Sequence, residues 1–466
     1  AVTGGDERIV VAAPGAEPEQ VRRTVATFAG VPIGAVAVGT DRPLPRTANG
    51  KTDYAAILAD DRADRAARAD EPDVEEATDS GAVDVFERVL GRADIGPADT
   101  FVSVGGDSLN YVECSIRLER LLGRLPADWH LTPVGRLEAA ARPTRVPRID
   151  TTVVLRAVGI CAIVATHMRL WYFPGGAHLM LAVVGYNLSR FQLPIVDART
   201  RVVAGVRTVA RAAVPTVAFV GVCMLLVGGY SIPTLLLAHG YAGIPEHVDG
   251  RWHYWFIEVF AYLVVLATLL LAIPQVRRIE RKAQYLFPLV LFAALLLFRY
   301  RVLLIDGGAN LRFKAHGVAW IFVLGWLIHR STDRWKQLAT SALCLVTIPG
   351  SFDRPQREWF IIVGLLALIW AKELPLPRLA IWPTATVAGA SMWILISHFR
   401  VFPPLSRNLP IGVAFALTIA AGVVVWRLTE LAGRWGSRLI DARRDRRMAR
   451  PAGVRGPVVP SLQNIG

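Results

Sequence analysis

Cysteine is scarce in these 466 residues: four, at positions 114, 161, 223 and 344, with no recurring spacing and three of them inside hydrophobic runs. That scatter excludes a disulfide framework and a thiolate zinc site, so no metal is expected. The first 60 residues lack the apolar h-region of a signal peptide. No soluble stretch interleaves basic residues with aromatics, so the net charge of +14 does not describe a nucleic-acid surface. No internal repeat stands out.

Apolar sequence, by contrast, is abundant. It makes up 53% of the chain, and the mean hydropathy is positive, so length here counts membrane spans more than domains. Arginine and lysine gather between the hydrophobic runs and in the tail "DARRDRRMAR", which assigns the positive charge to loops beside membrane segments.

Residues 1–60 read as a small α/β fragment: a strand "RIVVAAP", a helix "PEQVRRTVATFAG", a strand "AVAVG", then "RPLPRTANGKTDYAAI". Residues 61–79, dense in charge and alanine, read as a linker. Residues 80–142 read as a small helical domain, with Leu109, Val112 and Ile116 at helical spacing. From 148 to 430 come ten hydrophobic segments, near 151–168, 174–191, 210–231, 253–273, 284–299, 315–329, 337–351, 359–372, 380–398 and 409–429, followed by a basic tail, 431–466. The fold class expected is mainly α, ending in a polytopic helical membrane domain.

With a cytoplasmic N-terminus, the even-numbered loops carry Arg199, Arg201 and Arg207, then Arg277, Arg278, Arg281 and Lys282, then Arg330, Arg334 and Lys336. That agrees with the positive-inside rule and puts residues 1–142 and the tail in the cytoplasm of a plasma-membrane protein. The connection bearing Arg299, Arg301, Arg312 and Lys314 is discordant unless it folds into the protein.

Ser108 stands at the mouth of a helix, where a serine is ordinarily a cap. Here Gly105 and Gly106 precede it and let the backbone approach a bulky phosphate, whose negative charge a helix N-terminus favours. The stretch "DTFVSVGGDSL" resembles the prosthetic-group attachment motif of peptidyl and acyl carrier domains, over roughly residues 80–142. The resemblance implies a four-helix carrier domain in which Gly105, Gly106, Asp107 and Ser108 form the motif. It further implies that a phosphopantetheinyl transferase attaches 4'-phosphopantetheine to Ser108, whose thiol then holds an acyl or aminoacyl group. The preceding "LPRTANGKTDY" is similar to the last motif of adenylation domains, which implies that Lys51 contacts the substrate carboxylate and phosphate. The nucleotide-binding core of that family is not in this sequence, so the expected partner is an adenylation core, upstream in a longer chain or on a separate protein. The whole N-terminal part thus resembles a nonribosomal peptide synthetase.

In the membrane half Arg156 lies within an apolar segment, where an arginine costs about 2.5–3.5 kcal/mol to insert and must face protein or water. His167 follows eleven residues later, on the same helix face and about 16 Å along the axis. "LRAVGICAIVATH" resembles the first-span motif of the acyltransferase-3 family. "GGAHLMLAVVGYNLS" is similar to that family's second span and "SMWILISHF", reaching His398, to its late serine-to-histidine motif. "HYWFIEVFAYLV" resembles the fourth span more distantly. The likeness covers roughly 148–430 and implies ten spans. Two positions depart from the pattern: Val153 and Val154 stand where the family often has an aspartate, with Asp150 farther upstream, and Val184 replaces a serine.

Acyl transfer from a thioester needs a base for the acceptor's proton and a group to steady the oxyanion. His167 suits the first role, and His398 is placed to orient the acceptor or support His167. Arg156 is too far along the helix to act at the same carbonyl, which assigns it to the entrance, steering the pantetheine phosphate or stabilising a tunnel. Glu258 is expected to pair with an arginine. The function expected is a carrier-linked membrane acyltransferase whose acceptor is a hydroxyl, less readily an amine, of a lipid, glycan or other envelope component. The alternative is a transporter, flippase or membrane anchor whose carrier domain recruits other proteins.

Overall fold

The computed structural model describes parts of residues 2–57, and residues 81–137, 148–170, 174–242, 253–352 and 354–448 save for positions 93, 123, 124, 127, 304 and 306–309. The side chains of Ser108 and Leu109, and those beyond 432, lie outside the description. The chain divides into two compact units, Ala1–Thr78 and Asp79–Gly466.

In the first unit β1 (Val2–Gly4) pairs antiparallel with β2 (Ile9–Ala12), which pairs parallel with β3 (Val36–Gly39). Val11 and Val36 are buried between them. A parallel neighbour demands a crossover, in keeping with the strand–helix–strand order read from the sequence. Lys51 and the 61–79 linker lie outside the described residues.

The second unit is mainly helical. It opens with α1 (Ala82–Leu90), closed by Gly91 in the left-handed region, and α2 (Ser108–Leu122). Then come β4 (Arg148–Asp150), α3 (Thr151–His167) and α4 (Gly176–Asn187), which runs on into a π-turn, Leu188–Gln192. They are followed by α5 (Ala198–Leu226), α6 (Trp255–Ala272), α7 (Pro274–Lys282), α8 (Leu286–Arg299) and α9 (Ala315–Arg330). The last elements are α10 (Arg334–Thr347), α11 (Pro355–Trp370), β5 (Glu373–Pro375), α12 (Arg378–Gly389), α13 (Ser391–Asn408) and α14 (Ile411–Met448).

Of the four helices expected for residues 80–142, α1 and α2 are described, with two single 3₁₀ turns at Trp129–Leu131 and Val134–Arg136. Their core is aromatic: Phe86, Phe101 and Trp129 are buried and meet edge-on or tilted. Tyr111, Cys114 and Leu118 of α2 face this core. Val112 and Ile116 instead pack with Ile149, Val153 and Ala388, so the stripe visible in the sequence meets α3 and α12. In return Phe191 and Ile195, beyond α4, enter the core of the 82–137 domain.

At the centre of the bundle α4 lies against α9. A Cβ on Gly185 would strike the Phe322 carbonyl, and one on Gly325 the Ala182 carbonyl, so only glycine allows this approach.

The count of ten spans is corrected. Among the described residues three helices are long and apolar enough to cross a membrane: α5, α6 and Ile411–Ala432 of α14. The number rises to five if two bent pairs each count once, α7 with α8 at 112° and α12 with α13 at 73°. Other apolar segments form helices too, but α4, α9, α10 and α11 have 12 to 16 residues, against the roughly 20 that a full span prefers.

Basic loops are tied together at one end. Arg201 donates to the carbonyls of Ile195 (2.9 Å) and Leu271 (3.0 Å), and Arg277 to that of Leu193. Glu280, fully buried, joins Arg277 to Arg330. Arg299 of the discordant connection folds inward onto the carbonyls of Thr347 and Pro349 and the Ser351 hydroxyl. Glu258 accepts from the Gly240 amide at 2.9 Å.

Candidate functional site

Asp107, not Ser108, caps α2. Its carbonyl accepts from the Tyr111 amide at 2.9 Å and its Oδ1 from the Asn110 amide at 3.3 Å. Ser108 therefore takes the first helical position. Gly105 adopts φ +84°, which favours glycine, and a Cβ there would lie 3.0 Å from Arg207 Nη1. A Cβ on Gly106 would strike the Phe101 ring.

This loop sits on arginines. Arg211 Nη1 bonds Asp107 Oδ2 and, at 2.8 Å, Asn110 Oδ1. Asp107 also acts electrostatically on Arg156. Two guanidiniums, of Arg207 and Arg211, against one carboxylate thus lie beside the Ser108 helix end, a donor set that fits a phosphodiester. The sequence reading counted Arg207 only as a loop charge and did not name Arg211; both lie within α5. Their signal is the four-residue spacing that puts both on one face of a helix.

Arg156 is buried, and its Nη2 donates to the Ala388 carbonyl (2.9 Å) and the Ser391 hydroxyl (3.2 Å). Ala388 is in the last turn of α12, where carbonyls lack helical partners and the helix dipole favours a cation. Arg156 thereby ties α3 to both sides of the α12–α13 bend.

His167, at the exposed end of α3, meets His398 of α13, which is fully buried. The Nδ1 of His167 stands 3.0 Å from the Nε2 of His398, with ring planes 14° apart. His398 Nδ1 lies 2.9 Å from the Leu395 carbonyl and 3.1 Å from that of Ile394. Carbonyls only accept, so this nitrogen carries the proton. With both rings neutral, His398 Nε2 is an acceptor, His167 Nδ1 donates to it, and the lone pair of His167 falls on Nε2. That is the arrangement a general base requires.

Phe399 packs on both histidines, at 4.7 and 3.9 Å between centroids, and His253 stacks on Phe399 at 3.7 Å. Arg400 donates to the Gly228 carbonyl and lies over the Tyr230 ring. Arg400 and His253 bring polar chemistry to this end of the bundle that the sequence reading did not assign.

A cavity of about 80 Å³ is lined by Arg156, Asn187, Thr208, Phe256 and Leu395 among others. Leu395 is the residue whose carbonyl receives His398 Nδ1.

A polar latch fixes the 82–137 domain. Tyr111 receives hydrogen bonds from Arg190 Nη2 (2.8 Å) and Trp129 Nε1 (3.1 Å) and donates to Asp150 Oδ2 (3.2 Å). Arg190 Nη1 pairs with Asp150 at 2.7 Å, and Asp150 also caps α3 through Thr152. Burial pushes the Asp150 carboxyl up, but Arg190 and the Thr152 hydrogen bonds outweigh it and hold the group below the usual carboxylate range. Burial, then Arg190 and Lys372, push the nearby His130 imidazole down to about 2. A second cavity, about 310 Å³, opens beside this latch.

Comparison with known proteins gives one short likeness. A 73-residue stretch is 38% identical to the AMB antimetabolite synthetase AmbE of Pseudomonas aeruginosa, covering 16% of this chain and 3% of that protein. No family model matches the chain, and no solved structure matches it. A segment of the chain is thus similar to part of a synthetase, and other segments form helices able to cross a membrane.

Proposed function

We propose that the protein is a carrier-linked membrane acyltransferase. On this reading residues 80–142 are the carrier, Ser108 bears 4'-phosphopantetheine, and the helices after residue 148 hold the transfer site. The observation that carries the reading is the His167–His398 contact at 3.0 Å, in one helical body with the Gly105–Ser108 loop on its arginines. The short likeness to a synthetase supports the carrier half. The acyltransferase-3 resemblance supports the membrane half.

Arg207 and Arg211 would hold the phosphate of the prosthetic group, and Asp107 keeps Arg211 aimed at the loop. When bound, the group supplies a thiol that carries the acyl chain as a thioester. His167 Nε2 would take the proton of an acceptor hydroxyl poised to attack the acyl carbon. With that thiol as leaving group, His167 would return the proton to sulfur. His398 keeps His167 in the tautomer that leaves Nε2 free. The acceptor is a hydroxyl of a lipid, glycan or other envelope component. Orientation follows the basic loops, with the carrier and C-terminal tail in the cytoplasm. An adenylation core and a phosphopantetheinyl transferase are the implied partners, and fusion of carrier to transferase raises the donor's effective concentration.

The test is peptide mass spectrometry of Ser108 after incubation with a broad-specificity phosphopantetheinyl transferase and CoA, followed by turnover with an acyl-loaded arm. The reading expects a pantetheine-sized increment lost in Ser108→Ala, and deacylation lost in His167→Ala. An unmodified Ser108, or normal deacylation in His167→Ala, overturns it.

A further inference from the structure

The cavity between Arg156 and Leu395 has mostly apolar walls, including Met180, Val183 and Phe260. Three of its polar side chains are engaged elsewhere. Arg156 and Ser391 bond each other, and Thr208 donates to the Ala204 carbonyl at 2.9 Å. Asn187 differs. It is 94% buried, lines the cavity, and its Oδ1 has no hydrogen-bond partner among the described residues. A buried carboxamide oxygen left unpaired forfeits its hydration with nothing in return, and an apolar residue in its place would avoid that cost.

The chemistry of the gap names what fills it. A carboxamide offers one acceptor and two donors, so it pairs with a secondary amide through both N–H and C=O, whichever way its own oxygen and nitrogen are turned. A lipid acyl chain has no such group and would leave Asn187 orphaned. The mostly apolar walls suit an extended chain. Its lining includes Arg156, on which Asp107 of the Ser108 loop acts electrostatically, and Leu395, whose carbonyl receives His398 Nδ1.

We infer that Asn187 is the reading point for a backbone-like amide of the pantetheine arm, and that this cavity is the arm's passage from Ser108 to the histidine pair. The inference rests on the reading of Ser108 as the attachment site. Asn187 is a positioning residue: it fixes the depth at which the thiol end of the arm stands.

The experiment uses the full chain in nanodiscs, converted to the pantetheinylated form. Accessibility of the arm thiol to a bulky, membrane-impermeant maleimide is read on the Ser108 peptide by mass spectrometry. With the natural arm the thiol is protected, and Asn187→Leu speeds its labelling at least tenfold at an unchanged Ser108 mass increment. A second measurement needs no variant: wild-type protein loaded from a CoA analogue with N-methylated amides also labels at least tenfold faster. Equal labelling rates in both comparisons, with the increment present, overturn the role of Asn187 and leave the attachment site standing. Absence of the increment in wild type overturns the attachment site and this inference together.

Discussion

Arg190 and Asp150 are 2.7 Å apart, nearly buried, and lock the end of α4 to the start of α3 while both bond the Tyr111 hydroxyl of α2. One ion pair thereby sets α3, caps it, and seats the 82–137 domain. Removing one partner leaves the other charge buried without compensation, at a cost of about 3–5 kcal/mol. Arg190→Met should therefore loosen α2, seen as faster amide exchange over 108–122. The double variant Arg190→Met with Asp150→Asn should recover much of the loss. A double variant as damaged as the sum of its singles would show that the two residues act separately.

The same latch makes the domain acid-sensitive. In the folded state His130 stays neutral down to about pH 2, whereas in an unfolded chain the ring titrates near 6.5. Between those values the unfolded state binds the extra proton. Stability is thus fully present above about pH 6.5 and falls as the pH drops, by up to ~1.4 kcal/mol per unit. Asp150 works in a lower window: its carboxyl is held below the ordinary range, so its contribution is present above about pH 4 and lost on further acidification. Exchange of the α2 amides, corrected for intrinsic rates, should quicken from pH 7 to pH 5. His130→Leu should flatten that dependence.

The histidine pair predicts non-additive kinetics. His167→Ala should lower acyl transfer on the order of 10²–10⁴-fold, the usual worth of a general base. His398→Ala should slow it less, because His167 remains but loses its fixed tautomer. The double variant should be no slower than His167→Ala alone, since His398 acts only through His167. Single-turnover deacylation of the loaded carrier measures all three, and a multiplicative double effect would give His398 an independent role.

Part of this was legible in the sequence. The loop "VGGDSL", the eleven-residue interval from Arg156 to His167, and His398 each have a local signature of residue type and spacing. The contact of His167 with His398 spans 231 residues and is set by how α13 leaves the 73° bend, which no local pattern encodes. The stripe of Val112 and Ile116 was visible, but periodicity says only that a face is buried, not by what, and here α3 and α12 bury it. Span counting failed for a similar reason. An apolar run of 12 to 16 residues surrounded by protein reads in sequence like one surrounded by lipid.

The glycines before Ser108 give a sharp stability test. Gly106→Ala would drive a methyl group into the buried Phe101 ring, and overpacking of this kind costs about 1–3 kcal/mol. Phe101 is central to the aromatic core, so it has little room to yield. Gly106→Ala should lower the unfolding midpoint of the 82–137 domain. The paired variant Gly106→Ala with Phe101→Leu should recover part of the loss.

Arg156 and Arg211 make opposite predictions about phosphate. Arg156 bonds the end of α12 and the start of α13, so Arg156→Met unties the bend and should slow transfer from every donor alike. Arg211 bonds the residue before Ser108, at the surface of the loop, where a phosphodiester would sit. Arg211→Met should therefore weaken use of a phosphate-bearing donor far more than one without phosphate. In a Ser108→Ala background, acyl-phosphopantetheine and acyl-pantetheine can be offered free in solution and their KM values compared. Arg211→Met should erase most of the preference for the phosphorylated donor, by a factor on the order of 10, the worth of one charge-assisted hydrogen bond of about 1.5 kcal/mol. Arg156→Met should preserve the ratio of the two KM values while lowering kcat for both. If Arg156→Met erased the preference instead, the phosphate would lie deeper, under the buried arginine, and the bend would not depend on that side chain.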